Sequence, residues 1–190
     1  MKMNLNNIKY KNIIFMKKEK IILIGGSCSG KTFAFEELKK FSDIKSDCKI
    51  TTRPPRKDEI DGVNYKYINN AEFLSLQESN QIKAYQKFVI NGEDWYYGIT
   101  KDNLEKNNLF IMTPFELEQL SSEERKNCFV VYLNIDEKVR RNRLIKRNDN
   151  SDSIDRRIEA DRLDFENFKD YDLMLMDEEF EIDLVYQFAK

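Results

Sequence analysis

A chain of 190 residues fits one compact domain with room for a mobile appendage, and a 41% hydrophobic content is enough for a proper core. Its 32 basic and 34 acidic residues nearly cancel, which excludes a polyanion-coating protein and shifts the question to where each basic residue stands. Histidine is absent, so the commonest general base near neutral pH and the commonest metal ligand are both excluded.

The cysteines, Cys28, Cys48 and Cys128, are odd in number and widely spaced, which fits neither a disulfide framework nor a zinc pattern and points to a reducing compartment. No apolar run approaches the ~20 residues of a membrane span. A cytoplasmic location is expected, with no partnership with membrane or nucleic acid.

Near the start, Ile13, Ile14 and Phe15 form an apolar knot between lysines. It is too short for a signal-peptide core, and Lys17, Lys18 and Lys20 stand where a small-residue cleavage site would be. Residues 1–19 are expected to be a flexible leader, or to precede a functional start at Met16.

Ile21 to Ile24 is a wholly apolar, β-branched run that stops at Gly25 and Gly26, as a strand buried on both faces does. A helix is predicted from Thr32 to Phe41. Between them, Gly25-Gly26-Ser27-Cys28-Ser29-Gly30-Lys31-Thr32 matches G-x-x-x-x-G-K-[ST] in full. Glycines let the backbone curl so that successive N–H groups face one phosphate, and the helix adds its positive end. Lys31 would reach the β- and γ-phosphates of ATP, and the Thr32 hydroxyl would ligate Mg²⁺.

The stretch from Ile50 to Gly98 reads as a small, partly antiparallel insertion, with Pro54 and Pro55 adjacent and short alternating segments at Tyr65–Ile68 and Phe88–Ile90. Arg53 and Arg56, three apart and stiffened by the Pro pair, can hold two guanidinium forks toward a second dianionic phosphate, and Tyr65 can add a hydroxyl donor. Leu109–Thr113 and Phe129–Leu133 return to buried-strand character. Asp136–Arg147 is a charged helix, Asn148–Asp152 a polar break, and Ser153–Phe168 a second helix. A short strand at Leu173–Met176 precedes an acidic helix ending near Ala189. Arg140, Arg143 and Arg147 share one face of the first helix, and Arg157 comes from the next. Converging guanidiniums of this kind stabilise charge on a transferring phosphoryl group.

Thr51-Thr52-Arg53-Pro54-Pro55-Arg56-Lys57-Asp58-Glu59-Ile60-Asp61-Gly62-Val63-Asn64-Tyr65 closely resembles the T-T-R-x-P-R-x-G-E-x-x-G-x-x-Y of the guanylate kinase family, with Asp58 where Gly is usual. Tyr96-Tyr97-Gly98-Ile99-Thr100 resembles that family's Y-G-T-S turn. Arg143-Leu144-Ile145-Lys146-Arg147 and Ile154-Asp155-Arg156-Arg157-Ile158 resemble its lid arginines, and Tyr171-Asp172-Leu173 its terminal Y-D motif. The resemblance spans roughly Lys20 to Ala189. It implies an α/β fold: a P-loop parallel sheet flanked by helices, with a small mixed or antiparallel acceptor-binding insertion and a helical lid. The core would comprise 20–50, 102–135 and 170–190, the acceptor-binding region 51–101 and the lid 136–169. The resemblance further implies a monomer or homodimer that transfers the γ-phosphoryl group of ATP, with Mg²⁺, to GMP, dGMP or a related nucleoside monophosphate. Arg53, Arg56, Tyr65, Tyr97 and Thr100 would bind the acceptor, and Lys31, Arg143, Arg147 and Arg157 would be catalytic.

At the positions by which that family reads guanine, this sequence holds Lys49, Ala84 or Gln86, and Met112 or Thr113. Either Glu93 or Asp94, in what reads as an extended loop, replaces the missing acid, or the accepted base has changed. Glu116 is a weak substitute for a strand-end carboxylate. Two other readings are a P-loop kinase with an altered acceptor and a non-catalytic interaction module of the same fold. A binding module would have no reason to retain Lys31 and Thr32.

Overall fold

The structure is a computed structural model, and it describes residues 8–10, 18–56, 59–148, 152–177 and 179–189. The expectations attached to Ile13–Lys17, Lys57, Asp58 and the middle of the polar break lie outside these residues.

Strand β1 (Ile8–Tyr10) precedes β2 (Lys20–Gly25), the phosphate-loop segment and helix α1 (Lys31–Leu38). The insertion then contributes β3 (Ile50–Thr51), β4 (Lys66–Tyr67), α2 (Asn70–Glu78), β5 (Ile82–Ile90) and β6 (Glu93–Thr100). After α3 (Lys101–Lys106) and β7 (Leu109–Ile111) come α4 (Pro114–Glu118), α5 (Ser122–Lys126) and β8 (Cys128–Leu133). Helices α6 (Glu137–Arg147) and α7 (Ile154–Phe165), strand β9 (Leu173–Leu175) and α8 (Ile182–Ala189) complete the described chain.

The main sheet runs β1-β9-β8-β2-β7, with β7, β2, β8 and β9 parallel. Its central strands are apolar at every step because both faces are covered. Ile21, Leu23, Phe129, Val131 and Leu133 pack with Ala34 and Leu38 of α1 and Val185 and Ala189 of α8. The alternate residues Ile22, Ile24, Val130 and Tyr132 meet Leu104, Met112 and Leu117 on the other side. This sandwich holds the loop after β2 at the carboxyl end of the parallel strands, where open α/β sheets bind ligands.

The insertion forms a separate sheet of order β4-β3-β6-β5, backed by α2 through Phe73. The β5–β6 connection is not the extended loop expected at Val89–Asp94. Ile90 pairs with Glu93, and Asn91 and Gly92 take φ of 53° and 82°, so an Asn-Gly turn closes the hairpin in two residues. The segment expected to be a flexible leader supplies β1, which pairs antiparallel with β9 from Ile8↔Leu175 to Tyr10↔Leu173. The physical reason is the exposed edge of β9, whose backbone groups otherwise face solvent. No helix among the described residues is long and apolar enough to cross a membrane.

Candidate active site

The phosphate loop is wound by two left-handed residues, Cys28 at φ 58° and Gly30 at φ 100°, the latter opening α1. Gly25 is needed for space: a Cβ there would stand 2.7 Å from the Leu133 carbonyl oxygen and 2.6 Å from Ser29 Oγ. Lys31 folds over the loop and donates from Nζ to the Gly25 and Gly26 carbonyls at 2.6 and 2.8 Å. Burial pushes its ammonium down to about 8, while the nearby Asp161 pulls it back up. Ser29 Oγ is fully buried and lacks a hydrogen-bond partner among the described residues, an orphan that a bound anion would satisfy. The Ser27 N–H donates to Asp161 Oδ2 at 2.8 Å, because α7 places that carboxylate against the loop.

The second cluster forms around one carboxylate. Glu59 accepts from Arg53 Nη2 on both oxygens at 2.9 and 2.8 Å, from Arg56 Nη1 at 3.2 Å, from the Arg56 backbone N–H at 2.8 Å and from the Tyr67 hydroxyl at 2.8 Å. Burial alone would raise the Glu59 carboxyl; these donors outweigh it and hold the group at about 2. Arg53 is only 2% exposed, and its Nε–H has no partner among the described residues. The Tyr65 ring lies 5.5 Å from the Arg53 guanidinium and 5.8 Å from the Tyr97 ring. Burial pushes both phenols above their ordinary value, so both stay protonated as donors. The structure therefore brings Arg53, Arg56, Tyr65 and Tyr97 together. The Thr100 hydroxyl accepts the Asn103 N–H at 3.1 Å as the cap of α3.

The lid helices close over the loop. Arg143 Nη1 donates to the Cys28 carbonyl at 3.3 Å. Arg157, 7% exposed, is held by Asp152 at 3.1 Å, and Arg156 pairs with the same carboxylate. Arg147 is exposed at the end of α6.

The register shows what lies next to the second cluster. Thr51, Tyr97 and Gln86 are cross-strand neighbours on one face of the insertion sheet, and Lys49, two residues before Thr51, extends that face. Gln86 Oε1 accepts the Thr113 hydroxyl at 2.7 Å, and Thr113 Oγ1 itself accepts the Glu116 N–H at 3.1 Å. That leaves the Gln86 amide NH₂ to donate elsewhere. Lys49 pairs with Glu116, which is wholly buried. Ala84 and Met112 are core residues. Asp94 projects from the opposite face and pairs with Lys87 at 2.7 Å, and Glu93 is exposed at the hairpin tip. Neither takes the place of an acid beside Gln86.

The guanylate kinase family profile matches residues 17–186. This chain belongs to the guanylate kinase family. It is 28% identical over 178 residues to the guanylate kinase of Clostridioides difficile (strain 630), covering 87% of this chain and 83% of that protein. It is 28% identical over 171 residues to that of Rickettsia typhi (strain ATCC VR-144 / Wilmington), covering 84% and 83%. The crystal structure of guanylate kinase from Anaplasma phagocytophilum superposes with a TM-score of 0.61 at 19% identity, covering 90% of this chain and 82% of that one, a likeness of fold. The chain is thus an ATP-dependent nucleoside monophosphate kinase.

Sequence reasoning missed Tyr67, Asp152 and Asp161 and gave Glu59 no part. Glu59 carried a signal, since it stands three residues beyond Arg56 within the motif; Asp161 carried none, being 134 positions from Ser27. The described residues contain no cluster of three or more His, Cys, Asp or Glu able to hold a metal. Thr32 is exposed at the start of α1, and Glu116 is sealed by Lys49.

Proposed function

We propose that this kinase moves the γ-phosphoryl group of ATP to GMP, dGMP or a closely related nucleoside monophosphate. The observation that carries the reading is the presence of two clusters suited to anions, a loop of backbone amides with Lys31 and a guanidinium–phenol cluster of Arg53, Arg56, Tyr65 and Tyr97, which the reaction would bring face to face. The acceptor phosphate fits the second cluster, where the buried Arg53 Nε–H would gain its partner.

Mg²⁺ fits Thr32: a hard cation that keeps several waters needs a hydroxyl and substrate phosphates more than a protein cage. Bound there, it would neutralise charge on the phosphates. Lys31 binds the β- and γ-phosphates, while Arg143, Arg147 and Arg157 offset charge on the transferring group. Lid closure excludes the water that would otherwise compete as acceptor. A general base is not needed, because positioning and charge stabilisation carry phosphoryl transfer.

A second reading, relaxed or altered base choice, draws on the Gln86–Thr113 pair and the sealed Lys49–Glu116 pair. An amide NH₂ and an ammonium offer donors where a carboxylate would accept from guanine N1–H and N2–H₂. Phosphorylation of a panel of ribo- and deoxynucleoside monophosphates separates the two. Exclusive turnover of GMP and dGMP removes the altered-acceptor reading, and comparable turnover of bases lacking the 2-amino group removes strict guanine selection.

A further inference from the structure

The phosphate loop is touched from outside by a charged pair left out of the proposed catalytic set: Arg140, which shares a helix face with Arg143 and Arg147, is instead taken up by Asp161. Asp161 on α7 accepts the Ser27 N–H at 2.8 Å and the Ser27 hydroxyl at 3.2 Å. Arg140 on α6 donates to the same carboxylate at 2.5 Å, to the Ser27 carbonyl at 3.4 Å and to the Ile135 carbonyl at 3.1 Å. Every polar group of Ser27 is thus engaged by one pair of lid side chains. The pair lies directly on Gly26: a Cβ there would approach Arg140 Nη1 to 2.5 Å and Asp161 Oδ2 to 2.9 Å. The absence of a side chain at this position is a requirement of the pair.

Both partners are nearly out of solvent, with side chains 11% and 12% exposed. Burying an ion pair costs desolvation that its attraction seldom exceeds, and an apolar pair of similar volume is often as stable. Stability is therefore a poor reason for its presence here, and geometry is the better one. One end of the phosphate loop is anchored by β2; Ser27 lies in the unsupported curve before the left-handed Cys28. A loop that must present its amides to a phosphate loses affinity by whatever it costs to order it.

We propose that Arg140 and Asp161 are positioning residues that clasp the outer corner of the phosphate loop to the root of the lid and hold it in its phosphate-receiving shape before ATP arrives. The proposal rests on the reading that this loop binds ATP. The clasp acts through Ser27 and touches no substrate, so it governs the donor and leaves the acceptor cluster alone.

The test is steady-state kinetics of the full chain, with MgATP varied at saturating acceptor and the reverse, on Asp161→Ala, Asp161→Asn and the double variant Arg140→Met with Asp161→Leu. Loss of charge-assisted hydrogen bonds from the loop is expected to raise the KM for MgATP about tenfold or more in Asp161→Ala. With kcat measured at a pH well below the Lys31 value, so that its ammonium stays charged without Asp161, the kcat and acceptor KM should stay within about twofold. Asp161→Asn, which keeps one accepting oxygen, should fall between, and the double variant should keep the wild-type Tm yet show the raised KM. Three results would overturn the proposal: an unchanged KM for MgATP in the double variant; a lowered one, which would mean the carboxylate competes with phosphate; or equal losses in both KM values and kcat alongside a falling Tm. Absence of ATP-dependent transfer in the wild type would instead remove the functional reading beneath it.

Discussion

Glu59 concentrates the chemistry of the acceptor cluster in one side chain. Its carboxylate is the common partner of Arg53, Arg56 and Tyr67, and the donors around it keep it ionised far below neutrality. Glu59→Gln keeps the shape and removes the charge, so both guanidiniums lose the anion that orients them. The acceptor KM should rise roughly tenfold, with the KM for MgATP unchanged. The same pair of proteins yields a pH signature. A carboxyl held at about 2 when folded, against about 4.5 when unfolded, contributes stability that is fully present above the unfolded value. It is lost as pH falls through that window toward 2. The Tm advantage of wild type over Glu59→Gln should therefore be constant above about pH 5 and shrink on acidification; a gap that widens there would refute the assignment. Lys31→Met tests the other cluster. It removes an ammonium that lies on two loop carbonyls and fills the same volume, so kcat should drop at least about a hundredfold without loss of fold by circular dichroism.

At the level of elements, what could be read in the sequence followed from length and locality. The strands β2 and β8 announce themselves because burial on both faces demands continuous apolar runs. The phosphate loop and the Arg53–Tyr65 motif are legible because each is one short stretch of chain. Helices α4 and α5 are five residues each and α2 is nine, too short for a hydrophobic period to show. All three open with a capping box, Asn69–Glu72, Thr113–Glu116 and Ser121–Glu124, and that was the signal available. Strand β1 had none, since its conformation comes from the edge it joins. The clasp and the Gln86–Thr113 pair are fixed by tertiary approach between distant segments, which no local pattern encodes. The insertion sheet makes its own prediction. A Cβ on Gly98 would stand 2.9 Å from Phe73, which is fully buried between α2 and the sheet. Gly98→Ala should cost about 1–3 kcal/mol by overpacking. Phe73→Leu, added to it, should recover part of that loss in urea melts, whereas additive destabilisation would show that the contact is not the cause.

Across the whole molecule, the proposed reaction needs the two anionic clusters to face each other beneath α6 and α7, and Trp95 is placed to report on it. It is the only tryptophan in the chain, and it sits two residues before Tyr97, on the same face of β6. Its Nε1–H is buried and has no partner among the described residues. A nucleotide seated on the acceptor cluster changes the polarity and water content beside that indole, and closure of α6 and α7 over it changes both again. Emission should therefore shift saturably as a nucleoside monophosphate is added. It should shift further when a non-hydrolysable ATP analogue and Mg²⁺ complete the site, because only then are both anionic clusters occupied and the lid arginines drawn in. Lys31→Met should keep the first shift and weaken the second, since its defect lies on the donor side. If the analogue alone produced the whole change while a turned-over monophosphate produced none, the acceptor would not lie on the Tyr97 face. The arrangement of two facing anion sites would then have to be abandoned.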